Sequence, residues 1–522
     1  MTAADSINSQ ITNLKFEIPA PRAGFLFALL LLGYCAWVLS LPVFPSQDGP
    51  AHLYFADVLA QLLGHRPVFS QQYEITHLVP PYALQNYSLA LLLRWLPPPL
   101  AEEVMVCVCV LLGGYGFRCF ANRLGPAGDL MALLALPFLL NVYLFLGFYN
   151  YCMAVGLAFW AMGTWLRRGT FPWRRRVLFL LLVLLTMLAH PVPVLIVLAF
   201  CGATLVLAAL GRKRWEHAPE LGATGFADVL TLGVAGASLI YISRFVDRST
   251  ISPLGGMLAA LRHGDLAWAR LFLFLRMFIV SPVTSPAYRY FLLALLLLIL
   301  AAAWWRNGKE FVRRYFTAAQ LSLGGGLLLA VLLPLLPSVV NGSGFLFADR
   351  LTIVSVLLMI AAGARVDLGS RSRIAGAAGA ACGVAALVAL EIVLGPVARF
   401  LALPAHPAAA PGEGTWIVNA MNLPAGLMFN PCTTAGARIL QQEQRAWLNN
   451  PPWLGLSITM LRAKGPAADF RRRMQDDRDL AIIVVHCGGS DDGMTDKLQA
   501  RFPGRWNLSK ERWANILRPA RE

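Results

Sequence analysis

Residues 23–52 read AGFLFALLLLGYCAWVLSLPVFPSQDGPAH. The first part, 23–41, carries no charge, and about 20 apolar residues suffice to cross a hydrocarbon core of about 30 Å. The chain then turns polar at once, with Phe44-Pro45-Ser46-Gln47-Asp48-Gly49-Pro50-Ala51-His52 setting an acid and a histidine four residues apart. Ionisable groups at the mouth of an apolar bundle are costly and are kept where something uses them. The stretch thus makes two statements: the chain spans a membrane, and its function sits where the first span ends.

Working outward, 288–305 and 317–337 are apolar runs of the same kind. Of the 522 residues 57% are hydrophobic and 14% charged, where a globular domain carries about 25% charged residues. The expected fold is therefore an all-α polytopic membrane protein. The first run is too long for the apolar region of a signal peptide and lacks a small-x-small cleavage site, so it reads as a retained helix behind a polar cytoplasmic tail, 1–22. The formal charge is 44 − 28 = +16, yet the basic residues collect in short loops as the positive-inside rule requires, and no basic stripe interleaved with aromatics points to nucleic acid. Seven cysteines, Cys35, Cys107, Cys109, Cys119, Cys152, Cys201 and Cys382, lie in or beside apolar runs and read as packing residues.

The arginines set the orientation. With the N-terminus inside, span 23–41 exits, the outer loop 42–99 carries the Asp48 motif, and 100–117 returns to Arg118 and Arg123. Spans 129–147 and 151–166 form a hairpin whose outer turn is Gly147-Phe148-Tyr149-Asn150, and they deliver Arg167, Arg168 and Arg174–Arg176 to the cytoplasm. The chain then runs out to His190-Pro191, back to Arg212-Lys213-Arg214, and onward through 224–243, 288–305, 317–337, 350–366 and 374–396. This gives about eleven spans with every basic loop on one side. Residues 268–287 are apolar enough to cross, which would invert all that follows; they read as an outer interfacial or re-entrant segment.

From Arg399 the composition becomes that of a soluble domain. A Pro/Ala/Gly linker at 405–414 precedes Thr415-Trp416-Ile417-Val418 and Leu480-Ala481-Ile482-Ile483-Val484-Val485-His486, both readable as strands. Residues 399–522 are expected to form a small α/β extracytoplasmic domain after the transmembrane domain 23–398. Cys432 and Cys487 both fall in it, either as a disulfide of the oxidising outer space or as two unpaired buried thiols.

That threading brings Asp48, His52 and Asp57, Tyr149 and Asn150, His190, and Asp349-Arg350 to the outer face. A base or metal-binding carboxylate, a phosphate-binding arginine and several hydrogen bonders around an apolar groove suit group transfer from a lipid-phosphate donor. Each has a plainer reading. Asp48 before Gly49-Pro50 is a good helix N-cap, and a helix from Gly49 to Leu63 would place His52 one turn away, able to share a proton or a divalent cation with it. His52 can simply hydrogen-bond at the interface, His190-Pro191 can end a helix, Gly147–Asn150 can be a hairpin turn, and Asp349-Arg350 can cap the next span. Glu102 and Glu103 after three prolines read as helix N-terminal acids.

These residues, with roughly a dozen spans and a C-terminal outer domain, resemble the GT-C superfamily of integral-membrane glycosyltransferases, which includes protein O-mannosyltransferases and lipid A aminoarabinose transferases. More narrowly, Asp48-Gly49-Pro50-Ala51-His52-Leu53 with Gly147–Asn150 and Ala189-His190 is similar to a group of bacterial multi-span proteins. The resemblance covers roughly 20–400. It implies a bacterial inner-membrane enzyme that takes a sugar from a polyprenyl-phosphate carrier to a glycan, lipid or protein acceptor, with Asp48 as catalytic base. An acid follows that Asp directly in protein O-mannosyltransferases, whereas Gly49 follows here, so acceptor class and metal use do not carry over. The rival is a transporter, a flippase or a non-catalytic assembly partner for envelope polysaccharide. Glu391, inside span 374–396, keeps it open.

Overall fold

The computed structural model describes residues 23–64, 73–75, 77–80, 82–166, 173–210, 225–243, 281–312, 317–332, 347–366 and 372–401, with short strands and a few helical residues between 414 and 519. The first helix, α1 (Ala23–Ser40), is apolar all round. Phe27, Leu31, Tyr34 and Val38 recur at helical spacing and are buried, while Phe25, Leu29, Leu32 and Leu39 on the other faces are exposed. A helix that packs on one stripe and shows leucine and phenylalanine outward is built for lipid.

Next come α2 (Gly49–Leu63), β1 (Tyr73–Ile75), α3 (Ala83–Leu92), α4 (Pro98–Leu124), α5 (Gly128–Leu139), α6 (Val142–Phe145), α7 (Tyr149–Trp165), α8 (Trp173–Ala189), α9 (Pro191–Leu210) and α10 (Gly225–Ser243). After them lie α11 (Pro286–Val312), α12 (Ala318–Leu332), α13 (Phe347–Ala362), a 3-10 turn Gly363–Arg365, and α14 (Ser372–Leu401). Among the described residues five stretches are long and apolar enough to cross a membrane: Ala23–Ser40, Pro98–Leu124, Gly128–Phe145, Pro286–Trp305 and Arg373–Arg399. The expected eleven is not reached. Helix α7 has 17 residues, α13 has 16 and α12 has 15, and at 1.5 Å per residue they rise about 22–25 Å, short of a 30 Å core. Segment 268–280 lies outside the described residues.

Within the bundle α4 and α7 approach through glycine. A Cβ on Gly116 would stand within 2.1 Å of the Gly156 carbonyl oxygen, and one on Gly156 within 2.5 Å of the Leu112 backbone, the small-residue contact that lets two membrane helices pack backbone to backbone. The continuous span expected over 129–147 is broken. After α5 the buried Asn141 side chain donates to the carbonyls of Phe138 and Leu139 and accepts from the amides of Tyr143 and Leu144. One residue thereby satisfies both ends of the break where water cannot. Short α6 follows, and Gly147 turns the chain into α7.

Polar groups sort to two poles. At one, Arg118 pairs with Asp129 at 2.8 Å beside Gly24, and the Ala127 amide donates to the Ala364 carbonyl next to Arg365. At the other lie the start of α2, the Gly147 turn, His190 between α8 and α9, and the first turn of α13.

Further strands are β2 (Gly414–Asn419), β3 (Ala446–Trp447), β4 (Leu461–Ala463), β5 (Ala481–Val485), β6 (Trp506–Lys510) and β7 (Ala514–Pro519). Five form a sheet in the order β3-β2-β5-β7-β6, with β2 parallel to β3 and β5 and with β7 antiparallel to β5 and β6. Strand β4 instead pairs antiparallel with β1, Glu74 opposite Arg462. Cys432 and Cys487 lie outside the described residues.

Candidate functional site

The Asp48 segment is held by backbone bonds to a distant loop: the Gln47 amide donates to the Phe145 carbonyl at 2.7 Å and the Asp48 amide to that of Leu146 at 3.2 Å. The fit requires glycine at 147, whose φ is +88° and whose added Cβ would lie 2.8 Å from the Gly49 nitrogen and 3.0 Å from the Asp48 Cβ. Behind the turn, Glu102 accepts from the Ser46 hydroxyl and, at 2.7 Å, from the Tyr149 hydroxyl. Glu102 and Glu103, expected to serve only the start of their helix, are both buried, and Glu102 binds the two arms of the site together. Their position corrects that expectation, because Pro98 and Pro99 begin the helix early enough to carry both acids past its first turn.

Asp48 occupies the N-cap position of α2, yet its side chain makes no capping hydrogen bond. The residue is 5% exposed and its Oδ1 has no partner. Burial pushes its carboxyl up to about 7, against a Gln47 hydrogen bond and the Arg350 charge that pull it down. His52 does lie one turn on, but its ring is hydrogen-bonded to the Gly147 backbone, and burial brings the imidazole down to about 4. No hydrogen bond joins it to the Asp48 carboxylate. Among the described residues no group of three or more His, Cys, Asp or Glu that could hold a metal ion comes together.

Arg350, on the first turn of α13, reaches the same place from the far end of the sequence. Its guanidinium lies 4.0 Å from the centre of the Phe148 ring, and its backbone carbonyl accepts from the Tyr151 hydroxyl at 2.6 Å. Its Nη1 stands 3.2 Å from His190 Nε2. The Val192 amide donates to His190 Nδ1 at 3.2 Å, which leaves the proton of the neutral ring on Nε2. The guanidinium of Arg350, packed against His190 and Phe148, is the group here that can face an anionic oxygen. Burial and Arg350 together hold the His190 imidazole well below its usual range.

Tyr82 completes this wall. Its ring packs edge-on against His190, as does that of Tyr151, at 5.1 and 5.2 Å. Among the described residues Tyr82 is the only non-glycine with positive φ, 72°, and backbone strain of this kind gathers at functional sites. Burial pushes its hydroxyl up in pKa and Arg350 opposes. Sequence reading missed Tyr82, since a tyrosine after two prolines carries no distinguishing pattern.

The remaining expected residues divide. Tyr149 serves Glu102 and packs near the His52 ring. Asn150 donates its amide to Gln85 Oε1 and accepts the Tyr151 amide on its own side chain. Asp57 accepts from Gln61 on its own helix, and five residues from His52 is about 140° round that helix. Asp349 is in the first turn of α13, but its side chain lies outside the described residues. The structure thus brings together Asp48, Arg350 and His190, with His52, Tyr149 and Asn150 supporting them. Comparison with protein-family models, curated proteins and solved structures finds no significant match.

Proposed function

We propose that this chain is an integral-membrane glycosyltransferase of GT-C type that moves a sugar from a polyprenyl-phosphate donor to an acceptor outside the cytoplasm. The observation that carries the reading is Asp48: a buried carboxylate that caps nothing, keeps one oxygen without a partner and has its pKa pushed to about 7. A general base works best when its pKa lies near the operating pH. The acceptor hydroxyl passes its proton to Asp48 Oδ1 while its oxygen bonds to the anomeric carbon. The bond from that carbon to the phosphate oxygen breaks, the electron pair leaving on the phosphate. The Arg350 guanidinium opposes the charge that develops there. His52, in its neutral form, and Glu102 hold the turn on which Asp48 stands.

In this reading the protein lies in a bacterial inner membrane with 1–22 inside. The shorter helices complete about eleven crossings with locally thinned lipid. Residues 399–522 lie outside as a small α/β domain that recognises the acceptor or covers the site. The transporter or flippase alternative rested on Glu391, whose carboxylate is engaged by the Trp37 indole at 2.8 Å and by Arg399 at 3.4 Å. The test is complementation of a deletion strain's surface-glycan profile. Asp48→Asn keeps shape but not proton affinity, so transfer falls by about 10²-fold or more; full complementation at normal membrane abundance would remove Asp48 as a base.

A further inference from the structure

A second buried polar atom near Asp48 lacks a partner, and it belongs to a residue with no role so far. Gln85, on the first turn of α3, is 1% exposed. Its Oε1 accepts the Asn150 amide at 2.9 Å, which fixes the orientation of the side-chain amide, because the reverse would set donor against donor. The Nε2 group is thereby turned to the opposite side, where it is buried without a partner. A donor left in that condition costs about 1–3 kcal/mol.

The two unpartnered atoms flank one turn. Gly147 packs on the Asp48 Cβ, and Asn150, held by Gln85, lies three residues further along the chain. Asp48 Oδ1, when the carboxyl is ionised, only accepts, and Gln85 Nε2 only donates. A ligand that satisfies both presents a hydroxyl to the first and a second oxygen to the second. Ring hydroxyls of a sugar have that pattern, whereas a serine or threonine side chain has a single oxygen. Polar groups left unpaired by the wrong ligand discriminate strongly against it.

We infer that Gln85 and Asp48 form the acceptor subsite and that the acceptor is a polyol, a sugar residue with neighbouring free hydroxyls. The inference rests on the transferase reading and narrows its acceptor class. Gln85→Glu keeps an oxygen for the Asn150 amide and exchanges the donor for a second, ionisable oxygen, so a residue that merely braces Asn150 still braces it.

The experiment measures the melting temperature of the purified full-length protein in detergent micelles, titrated with methyl glycosides of common hexoses, pentoses and N-acetylhexosamines and with N-acetyl-serinamide. The expected result is a saturable rise with at least one methyl glycoside, lost for its monodeoxy analogues and reduced at least tenfold in apparent affinity by Gln85→Glu, while Gln85→Glu without ligand melts like wild type. Three outcomes overturn the inference: no glycoside stabilises the wild type, the variant responds as the wild type does, or N-acetyl-serinamide alone stabilises. Asp48→Asn complementation is read separately. If Asp48→Asn is inactive and Gln85→Glu binds normally, the subsite fails alone; if Asp48→Asn complements fully, the transferase reading fails.

Discussion

At the scale of single residues, Asp48 separates a chemical role from a capping one. A capping aspartate is replaced well by asparagine and poorly by alanine, at about 0.5–2 kcal/mol. Here the side chain caps nothing, so Asp48→Ala loses none of that capping energy. The folded-state pKa of about 7 stands above the ordinary carboxylate value. The stability tied to the protonated form is therefore complete below about pH 4 and is lost as pH rises to about 7. Asp48→Asn, which cannot ionise, is expected to melt above the wild type at pH 8 and to match it near pH 4, measured by thermal unfolding in detergent. Turnover depends on the opposite form. It should climb about tenfold per pH unit up to about 7 and then level, and His52, at about 4, adds no second limb near neutrality. A profile flat from pH 5 to 8 would contradict the role of Asp48 as base.

At the scale of elements, the site is a joint between the start of α2 and the turn before α7. Gly147→Ala meets both a positive φ and the Asp48–Gly49 backbone, so it should cost about 1–3 kcal/mol and abolish transfer. An unchanged melting temperature with full activity would mean that the joint has another geometry. Asn141→Ala removes four hydrogen bonds at the break between α5 and α6 and should destabilise by at least 1–2 kcal/mol; Asn141→Asp, which keeps only the accepting half, should fall between. Both are read as melting temperature and membrane abundance. The two halves of this joint were visible in the sequence, but their contact was not. Gly147-Phe148-Tyr149-Asn150 stood out as a turn, but that it receives the amides of Gln47 and Asp48 depends on where Asn141 interrupts the helix, and periodicity does not register such a break inside an apolar run.

Across the whole molecule, the pairing of β1 with β4 ties the loop after α2 to the region beyond 460. Glu74 and Arg462 are opposite in register, so Glu74→Cys with Arg462→Cys should cross-link under mild oxidation, detected by an altered migration on unreduced gels. No cross-link at any oxidant concentration would place the two segments apart. With the basic loops inside, Ser490→Cys in a chain lacking Cys432 and Cys487 should react with an impermeant maleimide in intact cells. Labelling only after permeabilisation would invert the orientation.

Composition alone made this a helical membrane protein. Five apolar stretches of span length are found among the described residues, and the outward Phe25, Leu29, Leu32 and Leu39 of α1 are the surface a lipid-facing helix presents. The strands at Gly414–Asn419 and Ala481–Val485 also lie where their apolar β-branched residues put them. Asp48, His190 and Arg350 were selected by type and by side of the membrane, both local properties. What only the tertiary structure decided was contact: that His52 turns to Gly147, that Asp57 accepts from Gln61, that Glu102 clasps Ser46 and Tyr149, and that Tyr82 and Gln85 enter the site. The physical reason is that local pattern sets which faces are apolar, whereas partners such as Asp48 and Arg350, some three hundred residues apart, meet only through packing that no local pattern encodes.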